Sequence, residues 1–117
     1  MAPRCLIVDD NADFLVSSRR LLETQGLRVV GCATSSSEAF ELLDELKPDI
    51  ALVDVELGQE DGIALAQELA RRSPGTKVVI ISAHEGADLD ELLTGSRVAG
   101  FLPKTKLRAA TILALTV

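Results

Sequence analysis

The sequence predicts an α/β domain on a five-stranded doubly wound parallel sheet, strand order 2-1-3-4-5. Three observations carry that expectation. Five short apolar runs alternate with helical stretches along the chain. The 117 residues allow little more than one domain. The apolar fraction is 47% while aromatics are only 3%, so the core must be built from Leu, Val, Ile and Ala.

Each element has its own signal. Cys5-Leu6-Ile7-Val8 is an unbroken apolar run, the mark of a strand buried on both faces. After Asp9-Asp10-Asn11, a helix is expected with Phe14, Leu15, Leu21 and Leu22 on its packed side, closed by Gly26. Leu27 to Ala33 reads as the second strand. Ser35 with Glu38 forms a capping box, followed by an i, i+3, i+4, i+7 stripe of Ala39, Leu42, Leu43 and Leu46. Pro48 stops that helix. Ile50 to Val53 is the third strand, ending at Asp54. A loop with Gly58 and Gly62 leads to a helix through Leu65, Ala66, Leu69 and Ala70, broken by Ser73-Pro74-Gly75. Val78 to Ile81 is the fourth strand, ending at Ser82. An acidic helix is expected over about 87–93. Val98 to Leu102 is the fifth strand, ending at Pro103-Lys104, and a last helix runs from Leu107. Alternating βα units imply parallel strands, and right-handed crossovers leave few topologies.

Composition excludes several functions. The chain has 18 acids against 12 bases, a net charge of −6, which argues against coating nucleic acid or an anionic membrane. Sparse aromatics leave no stacking platform for single strands. No apolar run approaches the roughly 20 residues of a membrane helix. Cys5 and Cys32 lack metal-ligand spacing and are expected to be buried, reduced thiols of a cytoplasmic protein.

In such sheets ligands bind beyond the carboxyl ends of the strands, where the strand order reverses. Asp9 and Asp10 end the first strand there, Asp54 the third, Ser82 the fourth and Lys104 the fifth. Singly, an Asp after a strand is more often a cap or turn residue, and a lone Ser or Lys says little. Jointly they converge. Three ionised acids repel, and Lys104 alone does not balance them, so either a proton or a cation resides there. An oxygen-only site favours Mg²⁺, and the ensemble suits phosphoryl transfer.

In their order and spacing, Val8-Asp9-Asp10-Asn11, Leu52-Val53-Asp54-Val55, Asp61-Gly62, Ile81-Ser82-Ala83 and Gly100-Phe101-Leu102-Pro103-Lys104 resemble the receiver domain of two-component response regulators, in particular receivers that precede helix-turn-helix output domains. The resemblance covers essentially the whole chain. It implies a flavodoxin-like (βα)5 fold and a single receiver over 1–117 with no output domain. It implies Asp54 as phosphoacceptor, Asp9, Asp10 and Asp54 as Mg²⁺ ligands, and a Glu56 backbone carbonyl on the metal. Lys104 and Ser82 would bind phosphoryl oxygens, with Ser82 and Phe101 as the switch pair. His84, the only histidine, and Glu56 match positions that tune hydrolysis; a solvated loop side chain is the plainer role for His84. The implied partners are a sensor histidine kinase or phosphotransfer protein, a second copy in a dimer, and DNA only through an output domain. The surface expected to respond comprises the fourth helix, fifth strand and last helix.

Some positions depart from that pattern. Thr105 follows Lys104 where Pro is common, and Pro103 precedes it; Gly58 stands where a Pro is frequent, which favours a mobile loop. Ser82 and Phe101 replace the commoner Thr and Tyr. The apolar Ile112-Leu113-Ala114-Leu115 end favours a receiver excised from a longer regulator. Two other functions compete. One is a Mg²⁺-dependent hydrolase with an aspartate nucleophile, which wants two Asp flanking one residue; here they are adjacent. The other is an unphosphorylated interaction domain. No Gly-x-Gly-x-x-Gly or Walker pattern follows any strand.

Overall fold

Strand β1 (Arg4–Val8) lies inside the sheet, and its Cys5, Leu6, Ile7 and Val8 are fully buried, as the unbroken apolar run requires. The computed structural model describes residues 2–83 and 97–116. In chain order there follow α1 (Ala12–Thr24), β2 (Arg28–Ala33), α2 (Ser36–Leu46), β3 (Ile50–Asp54), β4 (Glu56–Leu57), β5 (Glu60–Asp61), α3 (Gly62–Arg72), β6 (Lys77–Ser82), β7 (Gly100–Pro103), a 3-10 turn (Lys104–Lys106) and α4 (Ala109–Thr116). The main sheet has the order β2-β1-β3-β6-β7 with every neighbouring pair parallel. Since β6 and β7 are its fourth and fifth strands, this is the expected 2-1-3-4-5 order.

Alternation along each strand splits the core in two. Leu6, Val8, Ala51, Val53, Val78 and Ile80 pack with Ala39 and Leu43 of α2 and Leu65 and Leu69 of α3. Cys5, Ile7, Leu52, Val79 and Ile81 pack with Leu15 and Leu22 of α1 and Ile112 of α4. Each fully buried aliphatic side chain contributes on the order of 1.5–3 kcal/mol. The carboxyl ends of β1 and β3 are thereby fixed side by side, with Val8 in register with Val53.

Several expectations change in detail. Leu21 does not join the packed stripe and is 42% exposed. It lies about 100° round the helix from Leu22, and buried Ser18 takes the inner place, its hydroxyl donating to the Phe14 carbonyl at 2.6 Å. A bulge between Cys5 and Leu6 leaves Val30 without a register partner in β2. The capping box is shifted: Ser35 Oγ accepts from Glu38 N at 3.3 Å, but Glu38 reaches back to Thr34 N and Oγ1 at 2.9 and 2.6 Å. The loop after Asp54 contains an antiparallel β4–β5 hairpin, with Gly58 at φ +61°. The last helix starts later than Leu107, because Lys104–Lys106 form a 3-10 turn and the Ala109 N–H is held by Gln25 Oε1 at 2.6 Å. Cys5 is buried as expected but Cys32 only half so; both are free, and burial, helped by the Cys32 neighbour, pushes the Cys5 thiol up to about 12. The helix expected over 87–93 lies outside the described residues.

Candidate functional site

β1 delivers Asp9 at its carboxyl end, where the Asp9 N–H still bonds Ala33 O at 2.9 Å. The Asp9 side chain is fully buried, and its Oδ1 accepts from Asn11 N at 2.8 Å. Asn11 is the N-cap of α1, accepting from Phe14 N at 3.1 Å. The run Asp9-Asp10-Asn11 is thus both strand terminator and helix start. Asp10 is exposed beside it.

β3 delivers Asp54, which is 5% exposed. Its Oδ1 accepts from Glu56 N at 3.1 Å. The close approach of α3 behind it depends on Gly62: a Cβ there would lie 1.9 Å from Asp54 O. Asp61 caps α3, its Oδ1 accepting from Ile63 N at 2.9 Å and Ala64 N at 3.2 Å. The Asp61-Gly62 motif therefore seats the β4–β5 hairpin and α3 against the Asp54 backbone. Glu60 extends that hairpin to α2, accepting from Ser36 N at 3.1 Å and from the Ser36 hydroxyl.

Lys104 enters from the end of β7. Its Nζ is 2.7 Å from Asp9 Oδ2 and 3.3 Å from Asp54 Oδ2. The same ammonium lies 4.1 Å above the centre of the Phe14 ring. Burial raises the Asp54 carboxyl above the usual range and the Asp9 charge adds to this, while the Glu56 N–H and Lys104 oppose it. For Lys104, burial disfavours the charge, but the close approach to Asp9 and the charges of the Asp9 and Asp54 carboxylates outweigh it and hold the amine above its ordinary value. Despite the short Asp9–Lys104 approach, Asp9 Oδ2 is, among the described residues, the buried side-chain oxygen that no well-aligned hydrogen bond satisfies. We regard the contact as a charge pair that leaves a lone pair open.

Carboxylate oxygens of Asp9, Asp10 and Asp54 all lie within 4.8 Å of one another. With Asn11, Glu56, Gly58, Ala83 and Lys104 they line an open cleft of about 290 Å³. The open Asp9 oxygen and the all-oxygen donor set fit a hard divalent cation. A larger hollow of about 680 Å³ lies at the opposite edge of the sheet, among Arg4, Arg28, Asp49, Lys77 and Leu113. It is larger only in volume; the carboxylate cluster belongs to the smaller cleft.

The predicted site residues separate into groups. Asp9, Asp10, Asp54 and Lys104 come together. Glu56 joins through its backbone N–H, while its side chain is outside the carboxylate trio. Ser82 is buried at the end of β6, opposite Pro103, and does not line the cleft. Phe101 is partly buried against the α2–α3 core, on the same sheet face as Ile80 and hence Ser82. His84 lies outside the described residues. Phe14 was expected only as a packing residue; its place three positions after a capping Asn, so near two acids, was the available signal.

The response regulator receiver domain family matches residues 5–115. The chain is 37% identical over 109 residues to a protein-glutamate methylesterase/protein-glutamine glutaminase of Alkalilimnicola ehrlichii, covering 89% of this chain and 27% of that protein. It is 36% identical over 83 residues to the chemotaxis protein CheY of Thermotoga maritima, covering 71% of this chain and 69% of that one. Among solved structures it is similar to a response regulator from Burkholderia pseudomallei with a phosphorylated aspartic acid, calcium ion and citrate: TM-score 0.80, 25% identity, 98% of this chain and 66% of that one. The chain thus spans about a quarter of the methylesterase's length.

Proposed function

The chain belongs to the response regulator receiver domain family, and on that premise we propose that it is a phosphoacceptor switch in which Asp54 takes a phosphoryl group from a phosphohistidine of a sensor histidine kinase or phosphotransfer protein. One observation carries this reading: Asp54 has one oxygen held by the Glu56 N–H and the other facing Lys104, in a cleft walled by two further acids. A carboxylate oxygen of Asp54 attacks phosphorus, the N–P bond breaks, and the departing imidazole takes up a proton. Hydrolysis by water restores the carboxylate and releases inorganic phosphate. The phosphorylated aspartic acid of the similar Burkholderia protein supports the same chemistry.

Asp9, Asp10 and Asp54, with the Glu56 carbonyl, would hold Mg²⁺, which when bound neutralises charge on the phosphoryl oxygens. Lys104 pairs with one phosphoryl oxygen. Ser82 moves from its buried position to hydrogen-bond another, and Phe101 on the same face follows into the space. The surface around the helix expected over 87–93, the fifth strand and the last helix changes accordingly, a shift between two packings of one fold. Residues 1–117 act as one receiver in the cytoplasm, catalysing only their own phosphorylation and dephosphorylation. A dimer, or an output domain through which DNA is reached, completes the pathway.

The test is direct. Incubation with Mg²⁺ and acetyl phosphate adds one phosphoryl mass to the wild type and none to Asp54→Asn. An adduct that persists in Asp54→Asn, or turnover of a phosphomonoester without any adduct, overturns the assignment.

A further inference from the structure

The helix that follows the acid-bearing loop supplies an aromatic face from its first turn. Asp9 pairs with the Lys104 ammonium at 2.7 Å, Asn11 caps the helix, and Phe14, one turn on, puts its ring 4.1 Å from the same Nζ. The Phe14 N–H is fixed by Asn11 Oδ1 at 3.1 Å, and Ser18 holds the Phe14 carbonyl at 2.6 Å. The ring therefore has a defined base. Lys104 Nζ meets two carboxylates and a π-face, and its side chain is only 18% exposed.

We propose that Phe14 is a positioning residue for Lys104, its ring holding the ammonium over the Asp54 cleft while leaving it free to turn toward an arriving phosphoryl oxygen. A third hydrogen-bond acceptor in the ring's place would hold the ammonium along a fixed direction. Attraction to a ring face has little angular demand, and it strengthens as water is excluded. The ring also occupies space from which water would otherwise solvate Nζ. Lys104 thus keeps its height above Asp54 when its partner changes from a carboxylate oxygen to a phosphoryl oxygen. For its consequence, not for its geometry, this inference rests on the phosphoacceptor reading.

The experiment uses the full chain with ¹³C-labelled lysine, in which Lys47, Lys77, Lys104 and Lys106 are the only lysines. The Lys104 εCH₂ signal, assigned by its loss in Lys104→Arg, is expected upfield because it lies over the ring. Phe14→Leu and Phe14→Met move it to the position of the other lysines; Phe14→Tyr does not. With acetyl phosphate and Mg²⁺, Leu and Met slow Asp54 phosphorylation about fivefold, equivalent to ~1 kcal/mol at 1.4 kcal/mol per tenfold, and Tyr restores it. Using two ring-less variants guards against one that folds poorly, and melting curves exclude an unfolded sample. A purely structural Phe14 would let Met serve as well as Tyr, and equal rates for the two overturn the proposal. So does a Lys104 signal unchanged by losing the ring, or a moved signal with an unchanged rate. Absence of any adduct in the wild type defeats the phosphoacceptor reading instead, and the metal-free spectra still decide whether the ring holds Lys104.

Discussion

Replacing Gly62 by Ala sets two effects against each other. As the first residue of α3, Ala is the better helix former by roughly 0.5–1 kcal/mol. Against that, its Cβ would sit 1.9 Å from Asp54 O and 2.8 Å from both Asp54 C and Val55 Cα, all backbone atoms that no rotamer change can move. Real Cβ atoms essentially never approach closer than 3.0 Å, so α3 or the end of β3 must retreat by about 3.0 − 1.9, or ~1.1 Å. That retreat strains the Gly62 N to Val55 O bond, now 3.2 Å, and loosens α3 against Leu69-centred packing. Overpacking costs about 1–3 kcal/mol, and a backbone clash belongs at the upper end. The clash wins: a net loss of about 2 kcal/mol, or roughly 8 °C in melting temperature for a domain of this size. Urea unfolding with an unchanged slope measures it. Asp61→Ala, which removes only the cap, should cost about 1 kcal/mol and serves as the reference. A Gly62→Ala variant as stable as the wild type, or more so, would refute the close-approach argument.

Three more outcomes are expected. Burial raises the Asp54 carboxyl, so the folded state holds that proton more tightly than the unfolded chain; the associated stability is present at low pH and is lost as pH rises through the folded-state value. In chelator-treated samples the stability of Asp54→Asn relative to wild type should therefore grow from pH 4 to pH 7 (buffer values on the order of the carboxylate range and above), and a flat difference in urea midpoints contradicts the shift. Lys104→Met removes the ammonium between two buried carboxylates; with the partial exposure of Lys104 discounted, about 2 kcal/mol is lost without metal, and Mg²⁺ should recover more melting temperature in the variant than in wild type. Equal Mg²⁺ effects in the two proteins count against that charge balance. Lys47, the C-cap of α2, has a left-handed φ of +45°, so Lys47→Gly should stabilise by about 0.5–1 kcal/mol in a thermal melt; a loss would mean that the Lys side chain contributes more than its backbone costs.

Strand runs such as Ile50 to Val53 were readable because burial on both faces demands consecutive apolar residues, and order followed from the alternation of elements. The acids at the strand ends were readable because parallel strands place all their carboxyl ends on one edge. Other features leave no such trace. β4 and β5 are two residues each, too short for any period, so the hairpin beside Asp54 read as a loop. Glu60 and Glu38 are ordinary exposed acids in sequence, yet one ties the hairpin to α2 and the other reaches Thr34. Phe14 fits an apolar helical stripe equally well whether it meets Leu or an ammonium. Leu21 and Leu22 are adjacent, and only the packed structure decides which faces inward.

The open oxygen of Asp9 has an evolutionary reading. Buried acids beside one another are retained against their energetic interest, whereas the aliphatic core is retained in accord with it. Screening random variants of this chain for heat resistance alone would therefore enrich changes at Asp9 and Asp54 early, while Leu52, Ile80 and Ile112 stayed fixed. Lineages in which the site was no longer used would drift the same way, keeping the sheet and losing its acidic edge.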